Sequence, residues 1–406
     1  MVNVVGLGYM GLPTALMMAA HGVEVIGTDY NRLLVETLQS GHATFQEAGL
    51  ELLLRKASES GIKFTTEYPS SDVYIISVPT PFVEESRRVD PVYVLNAVRD
   101  VLKVCPEGAT LVIESTIPPG TIDEHVRPII QAAGWQLGTN LHLAHAPERI
   151  ITGNMLPELE NNARVIGADI PEIGEKIRAL YATFCRGEIV VTDIRTAEMS
   201  KVVENTFRAV NIAFANELSL LSKKAGVDVH ELIRICNMHP RVNILQPGPG
   251  VGGHCISVDP WFLVGDYPEE TQLIRQAMLM NESMPEHVLE RIQQMMEDRG
   301  IDDLSRVGLY GISFKENVDD YRDSPTLQLL ERMRKHGMQG VRTYDPMIHT
   351  NVVDGQLQDF DAFLKDLSLL VVMVGHNHIR QNTDKLAGIC VLDTRYALPA
   401  ESAEQL

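Results

Sequence analysis

Cys255 stands in the stretch GPGVGGHCISVDPWF, with His254 directly before it and Asp259 four residues after. A thiol in such a setting has four ordinary fates. A metal site needs further Cys or His ligands at ligand spacing, and no second pair of that kind occurs in the chain. The five cysteines, at positions 105, 185, 236, 255 and 390, are far apart and odd in number, which fits free thiols in a reducing cytosol better than a disulfide framework. Two fates remain open, a small buried filler and a nucleophile. Filler cysteines seldom stand among glycines that keep the backbone bare for close approach. A nucleophile needs exposure and positive surroundings, because a thiol of pKa ~8.5 is only a few per cent thiolate at neutral pH.

Other residues could serve such a thiol. Lys201 and Asn205 are four apart in a run without Gly or Pro from about Thr196 to Ala225, so they share one face of a long helix, and Arg208 falls close to it. A solvated helix face would give the same spacing. Glu148 and Arg149 follow Pro147 at a strand end, a loop position where polar side chains often act and where a surface salt bridge is equally at home.

The elements that must position these groups follow from the hydrophobic pattern. VNVV, VEVIGTD, VYIISVP, TLVIEST, LHLAHAPE, ARVIGA and EIVVTD read as strands separated mostly by helical stretches, which implies a parallel, doubly wound sheet with ligands at the strands' carboxyl ends. The pattern changes near Thr192 to helices that continue to about Asp298. Strand–helix alternation then resumes with RVGLYGISF, GVRTYDP and LLVVMVGH, and CVLDT is expected to close the second sheet. The fold class is therefore α/β, with two Rossmann-like domains, 1–192 and 299–406, joined by a helical middle, 193–298.

The chain has 406 residues, is 45% hydrophobic and 22% charged, and carries a formal net charge of -19. Such an acidic protein is a poor partner for nucleic acid or an anionic membrane, and an anionic substrate requires a local cluster of Lys and Arg. The first twenty residues lack charge, yet GLGYMGLP interrupts them with glycines and proline and no basic n-region precedes, so the chain is expected to begin directly on a strand with no signal peptide. No other run is long and apolar enough for a membrane helix. The expected location is cytoplasmic.

Gly6, Gly8 and Gly11 follow the first strand and open a helix, the GxGxxG arrangement that turns tightly, admits a pyrophosphate and packs helix on strand. Tyr9 and Met10 lie inside the turn. Asp29 ends the second strand, where a carboxylate binds ribose hydroxyls and repels a 2′-phosphate, so NAD is expected, although Arg32 nearby would accept such a phosphate. Pro79 with Thr80, and Ser115 with Thr116, end two later strands and bring small hydroxyls to the same edge.

The motifs GLGYMGLP, SVPTP, ESTIPPGT, APERI, TAEMSKVVENTFRAVNIAFANELS, NILQPGPGVGGHCISVDPWF and GISFKENVDDYRDSP, in this order and over nearly the whole chain, resemble the UDP-glucose/GDP-mannose dehydrogenase family. The form HCISVDPWF preceded by HPRVNILQPGPG resembles the branch acting on UDP-N-acetyl-D-mannosamine, with His254 as a mark of that subclass. The resemblance implies a four-electron oxidation of the sugar C6 alcohol to a carboxylate with two NAD, through a thiohemiacetal and a thioester on Cys255. Lys201 matches the lysine that stabilises the oxyanion, Asn205 and Asp259 its polar partners, and Thr116 and Glu148 the residues that hold or activate water. Glu148, Arg149, Lys201, Asn205, Arg208, Asn243, Gly252, Phe314 and Lys315 are implied substrate contacts. Arg322 is implied for the cofactor, and Arg241 is expected from the partner subunit of a homodimer built on the long helix. No metal is implied. The alternative within the family is the same chemistry on UDP-N-acetylglucosamine, UDP-glucose or a related nucleotide sugar, and two readings of another kind remain: a single-step 3-hydroxyacid dehydrogenase, which would not need Cys255, and a non-catalytic nucleotide-binding protein.

Overall fold

The structure is a computed structural model that describes residues 1–83, 88–253 and 255–406; His254 lies outside the described residues. It divides into two compact units, Met1–Glu204 and Asn205–Leu406.

The first unit carries strands β1 (Val2–Val5), β2 (Val25–Thr28), β3 (Lys63–Thr65), β4 (Val73–Ile76), a small antiparallel ribbon of β5 (Phe82–Val83) and β6 (Arg88–Val89), then β7 (Ala109–Ile113), β8 (Leu141–His145), β9 (Arg164–Ala168) and β10 (Ile189–Thr192). All but the ribbon form one sheet in the order β10-β9-β8-β7-β4-β1-β2-β3. β1 and β4 are wholly buried because helices cover both faces, which is why VNVV and VYII read as apolar runs rather than alternating ones. The helix Gly11–Ala20 is apolar nearly all round and correspondingly buried over almost its whole length.

The second unit holds helices Val229–Cys236, Asp259–Asp266 and Gln272–Arg299, and a sheet of β11 (Val307–Tyr310), β12 (Arg342–Tyr344), β13 (Gln356–Leu357), β14 (Leu369–Val372), β15 (Cys390–Asp393) and β16 (Glu404–Gln405), all parallel, in the order β13-β12-β11-β14-β15-β16. The order β3-β2-β1-β4-β7-β8 of the first sheet is repeated in the second. The two Rossmann-like sheets share a topology that their sequences do not reveal.

The long helix extends from Ile194 to Ala225, and the division between the units falls within it. The alternation of elements is as expected, with two corrections. β9 pairs antiparallel to β8, and β10 runs parallel to β9, so this pair is reversed in an otherwise parallel sheet. The chain leaves β8 at the carboxyl edge and re-enters the sheet from that same edge, instead of crossing over a face. Periodicity reports that a strand exists but not which way it runs. The second sheet closes on β16 rather than on CVLDT, because two residues near the end of the chain add a short edge beside β15.

Candidate active site

In the first unit the three glycines separate by what surrounds them. Gly6 has φ +91°, and a Cβ there would lie 2.3 Å from the Ser77 carbonyl oxygen; a Cβ on Gly11 would lie 1.9 Å from the Gly6 oxygen. Packing alone demands both. A Cβ on Gly8 would meet nothing within 4 Å, so packing does not account for this glycine, whereas approach of a ligand to the bare backbone does. The helix Gly11–Ala20 has no side-chain N-cap and no acidic residue in its first turn, which leaves its positive end to an anion. The Asp29 carboxylate accepts from the Leu7 and Asn31 N–H groups, each at 2.8 Å, so it is fixed against the turn with lone pairs remaining for a ribose. Arg32 is paired instead with Glu36 at 3.2 Å on the exposed surface. The Tyr9 ring packs on Phe45 with centroids 4.4 Å apart, and Met10 is the N-cap residue. The Ser115 hydroxyl accepts from the Val78 N–H and donates to the Val78 carbonyl, tying the end of β7 to that of β4 beside exposed Pro79 and buried Thr80; Thr116 is half-buried. These residues fit a dinucleotide.

The reversal of β9 has a chemical consequence. In antiparallel register, His145 faces Gly167. Continued outward, the same register carries Arg164 toward Glu148. The Arg164 Nη2 lies 2.6 Å from Glu148 Oε2, and both side chains are only 5% exposed. The other Glu148 oxygen accepts from the Arg149 N–H at 2.7 Å. The surface-salt-bridge reading of Glu148 is thus replaced by a buried one. Arg149 itself pairs with Glu204 at 2.5 Å and donates to the Ala163 carbonyl. Neither Arg164 nor its neighbour Glu114 was singled out by sequence, because the signal is a long-range register.

Lys201 is 6% exposed, and its ammonium makes no hydrogen bond or ion pair with another described residue. Three residues earlier on the same helix, buried Glu198 accepts from the Gly120 and Ile122 N–H groups at 2.7 and 3.0 Å, fixing the loop that follows Thr116.

In the second unit Asn205 donates to Asp259 Oδ2 at 2.6 Å, with both side chains buried. Cys255 is partly exposed in the turn before the helix Asp259–Asp266, and its carbonyl accepts from the Asp259 N–H at 2.8 Å, so Cys255 and Asp259 belong to one hydrogen-bonded turn. The glycine loop before it packs on the C-terminal sheet's loops. A Cβ on Gly252 would lie 2.5 Å from the Asp323 carbonyl oxygen, one on Gly253 would lie 3.0 Å from the Phe314 ring, and the Gly253 N–H donates to the Arg322 carbonyl. Lys315 is half-buried, and exposed Arg322 forms a two-pronged pair with Asp320. Arg208, Arg241 and Asn243 are exposed; the carbonyl of Asn243 accepts from Asn211. Sequence reasoning missed Asn211 and Asn216, which bind the backbone of Leu245 and Gly248 and so stitch the glycine loop to the long helix. An Asn every few residues along an otherwise apolar helix face was the available signal.

The glycine turn fits a dinucleotide, and the family match makes the chain an NAD-dependent dehydrogenase. The chain belongs to the UDP-glucose/GDP-mannose dehydrogenase family, matching its NAD binding domain over residues 1–185, its central domain over 195–283 and its UDP binding domain over 308–400. It is 41% identical to an NDP-N-acetyl-D-galactosaminuronic acid dehydrogenase of Ralstonia nicotianae, over 97% of this chain and 95% of that one. It is 40% identical to a UDP-N-acetyl-D-mannosamine dehydrogenase of Salmonella typhi, over 93% of this chain and 94% of that one. The solved structure of a UDP-D-ManNAc dehydrogenase from Pyrococcus horikoshii superposes with a TM-score of 0.92 at 35% identity, covering 98% of this chain and 96% of that one. Among the described residues no helix is long and apolar enough to cross a membrane.

Proposed function

We propose that this chain oxidises the C6 alcohol of UDP-N-acetyl-D-mannosamine to the uronate, with two NAD per substrate, by way of a thiohemiacetal and a thioester on Cys255. The observation that carries the reading is Lys201. Lys201 is only 6% exposed and its ammonium pairs with no other described residue, so it is placed to meet an oxyanion formed during the reaction.

Bound NAD supplies the hydride acceptor for both oxidations. The first oxidation takes the C6 alcohol to the aldehyde, its hydroxyl proton passing to a water held by Thr116. The Cys255 thiolate adds to the aldehyde carbon, and Lys201 stabilises the oxyanion of the thiohemiacetal. Loss of a second hydride leaves the thioester. Thr116 holds a water whose proton passes to Glu148 as its oxygen attacks; the thiolate leaves and the carboxylate is released. The Asn205–Asp259 pair holds the cysteine turn in register. Arg149, Arg208, Asn243, Gly252, Phe314 and Lys315 contact the nucleotide sugar, while Arg32 and Arg322 complete the cofactor site begun by the glycine turn and Asp29. The division into domains at 192 and 298, and a cytoplasmic location, belong to the same reading.

The relative at 41% identity favours a second reading, the same chemistry on another N-acetylated hexosamine nucleotide. The test is NADH release and product analysis with UDP-N-acetylmannosamine, UDP-N-acetylglucosamine, UDP-N-acetylgalactosamine and UDP-glucose. Two NADH and one carboxylate per N-acetylmannosamine substrate are expected. Turnover of UDP-glucose alone would overturn the substrate, and one NADH per substrate would overturn the four-electron reaction.

The working unit proposed is a homodimer. Met199, Val203, Phe207, Phe214 and Leu221 are exposed apolar residues at spacings of four and seven along the long helix, a stripe suited to a second copy of itself. The guanidinium of exposed Arg241 makes no ion pair with any described residue, which suits a side chain given to the partner's substrate. Phe207→Asp with Phe214→Asp should move the protein to a monomer in sedimentation velocity and lower activity at fixed NAD affinity. A dimer unaltered by both changes would place the interface elsewhere.

A further inference from the structure

Glu114 follows β7 directly, 2% exposed, and the family chemistry proposed above does not use it. Its Oε1 accepts from the Tyr181 hydroxyl at 2.9 Å and from the Thr14 hydroxyl at 3.4 Å, while its Oε2 is buried without a hydrogen-bond partner. The Arg164 guanidinium lies 4.6 Å from the centre of the Tyr181 ring and pairs with Glu148. One buried cation therefore stands among two buried carboxylates. The groups facing Glu114 are Thr14 on the helix after the glycine turn, Ser77 after β4, Glu148 after β8, Arg164 on β9 and Tyr181 at the end of the helix Pro171–Tyr181. His145 lies at the end of the adjacent strand; burial holds it well below the usual imidazole range, at about 4, so it adds no charge near neutrality.

The two carboxylates are not equivalent. Each Glu148 oxygen has a strong donor, the guanidinium or a backbone N–H. Glu114 has only neutral hydroxyl donors, Tyr181 and Thr14 on one oxygen with Ser77 beside the carboxyl, the arrangement of the group that keeps its proton. We propose that Glu114 is a positioning residue that sets the basicity of Glu148: while Glu114 is neutral, the charge of Arg164 serves Glu148 alone, and when Glu114 ionises it shares that charge and leaves Glu148 the stronger base. Two like charges around one guanidinium raise each other's proton affinity, and a base with higher proton affinity takes the hydrolytic water's proton more readily. Burial, followed by the charge of Glu148, pushes Glu114 up to about 7, so the change falls near physiological pH.

The inference rests on the reading of Glu148 as the hydrolytic base, and the experiment separates the two. With UDP-N-acetylmannosamine and NAD, acid formation by the wild-type enzyme should rise through a midpoint near 7. Glu114→Gln, permanently neutral, should lack that rise and form acid on the order of tenfold more slowly than wild type at pH 8.5, in line with general-base effects. In the substrate-free enzyme, infrared difference spectra should show the C=O stretch of a buried protonated carboxyl at pH 6, fading with the same midpoint and absent from Glu114→Gln. Tyr181→Phe removes a donor that favours the ionised form and should move the midpoint upward. An identical rise in Glu114→Gln, or no carboxyl band lost with that substitution, overturns the proposal. Full acid formation by Glu148→Gln overturns the role given to Glu148 instead, because the infrared signal reports Glu114 without any turnover.

Discussion

Cys255→Ser is expected to lower acid formation at least about 10³-fold while leaving binding of NAD and nucleotide sugar within about twofold. The magnitude lies between losing one oxyanion donor and losing a whole nucleophile. Serine is nearly isosteric, so the turn that joins position 255 to Asp259 through the 2.8 Å hydrogen bond persists. What changes is the proposed nucleophile. A thiol is partly ionised at neutral pH and leaves readily from a tetrahedral adduct, whereas an alcohol needs a dedicated base to attack and departs poorly. In the proposed mechanism the first hydride transfer does not use the thiol. The variant should therefore give no more than one NADH per enzyme-bound sugar before stopping at the aldehyde level. Rapid-quench product analysis beside NADH absorbance reads both quantities. Wild-type acid formation by Cys255→Ser would end the covalent reading and return the chain to single-step oxidation, the hydroxyacid-dehydrogenase alternative.

Much of the candidate site was legible in the sequence because it is written locally. The glycine turn, Asp29 and the cysteine loop each combine residue type with spacing over a few positions, and a turn or a close backbone approach selects those types directly. The alternation of apolar runs gave both sheets and the long helix for the same reason. What was not legible depends on residues far apart. The reversal of β9 follows from a connection that returns at one edge, and nothing in ARVIGA records it. Arg164 reads in sequence as the first residue of a strand, and only the register places it on Glu148. Glu114 precedes a conspicuous Ser–Thr pair, yet its environment is assembled from segments up to 100 residues away from it in sequence. The short strands β3, β13 and β16 carry too few residues for a period to show.

The same pair carries the largest expected effect on stability. Arg164→Met removes the cation between Glu148 and Glu114 while keeping much of the side chain's volume against Tyr181 and Phe184. The long apolar stem can still pack on the two rings, so the loss is mostly electrostatic. A carboxylate left buried without its partner destabilises by about 3–5 kcal/mol. The effect should depend on pH in a definite direction. Glu114 already titrates at about 7, above its unfolded value of ~4.3, so its neutral form favours the fold. That contribution is complete below the unfolded value and is lost as pH rises through the folded one. Without Arg164 burial pushes Glu114 further upward, and Glu148 loses its buried counter-ion. The deficit of the variant should then be greatest near pH 8 and shrink on acidification toward pH 5.5, where Glu114 holds its proton. Thermal melts of the two proteins at these pH values measure it. Arg164→Met combined with Glu148→Gln should recover part of the loss at pH 8, because no stranded charge remains at position 148, and a double-mutant cycle isolates that coupling. A deficit that grows toward acid, or a double variant no more stable than Arg164→Met, would mean that Arg164 stabilises the fold through its packing on the rings rather than through its charge.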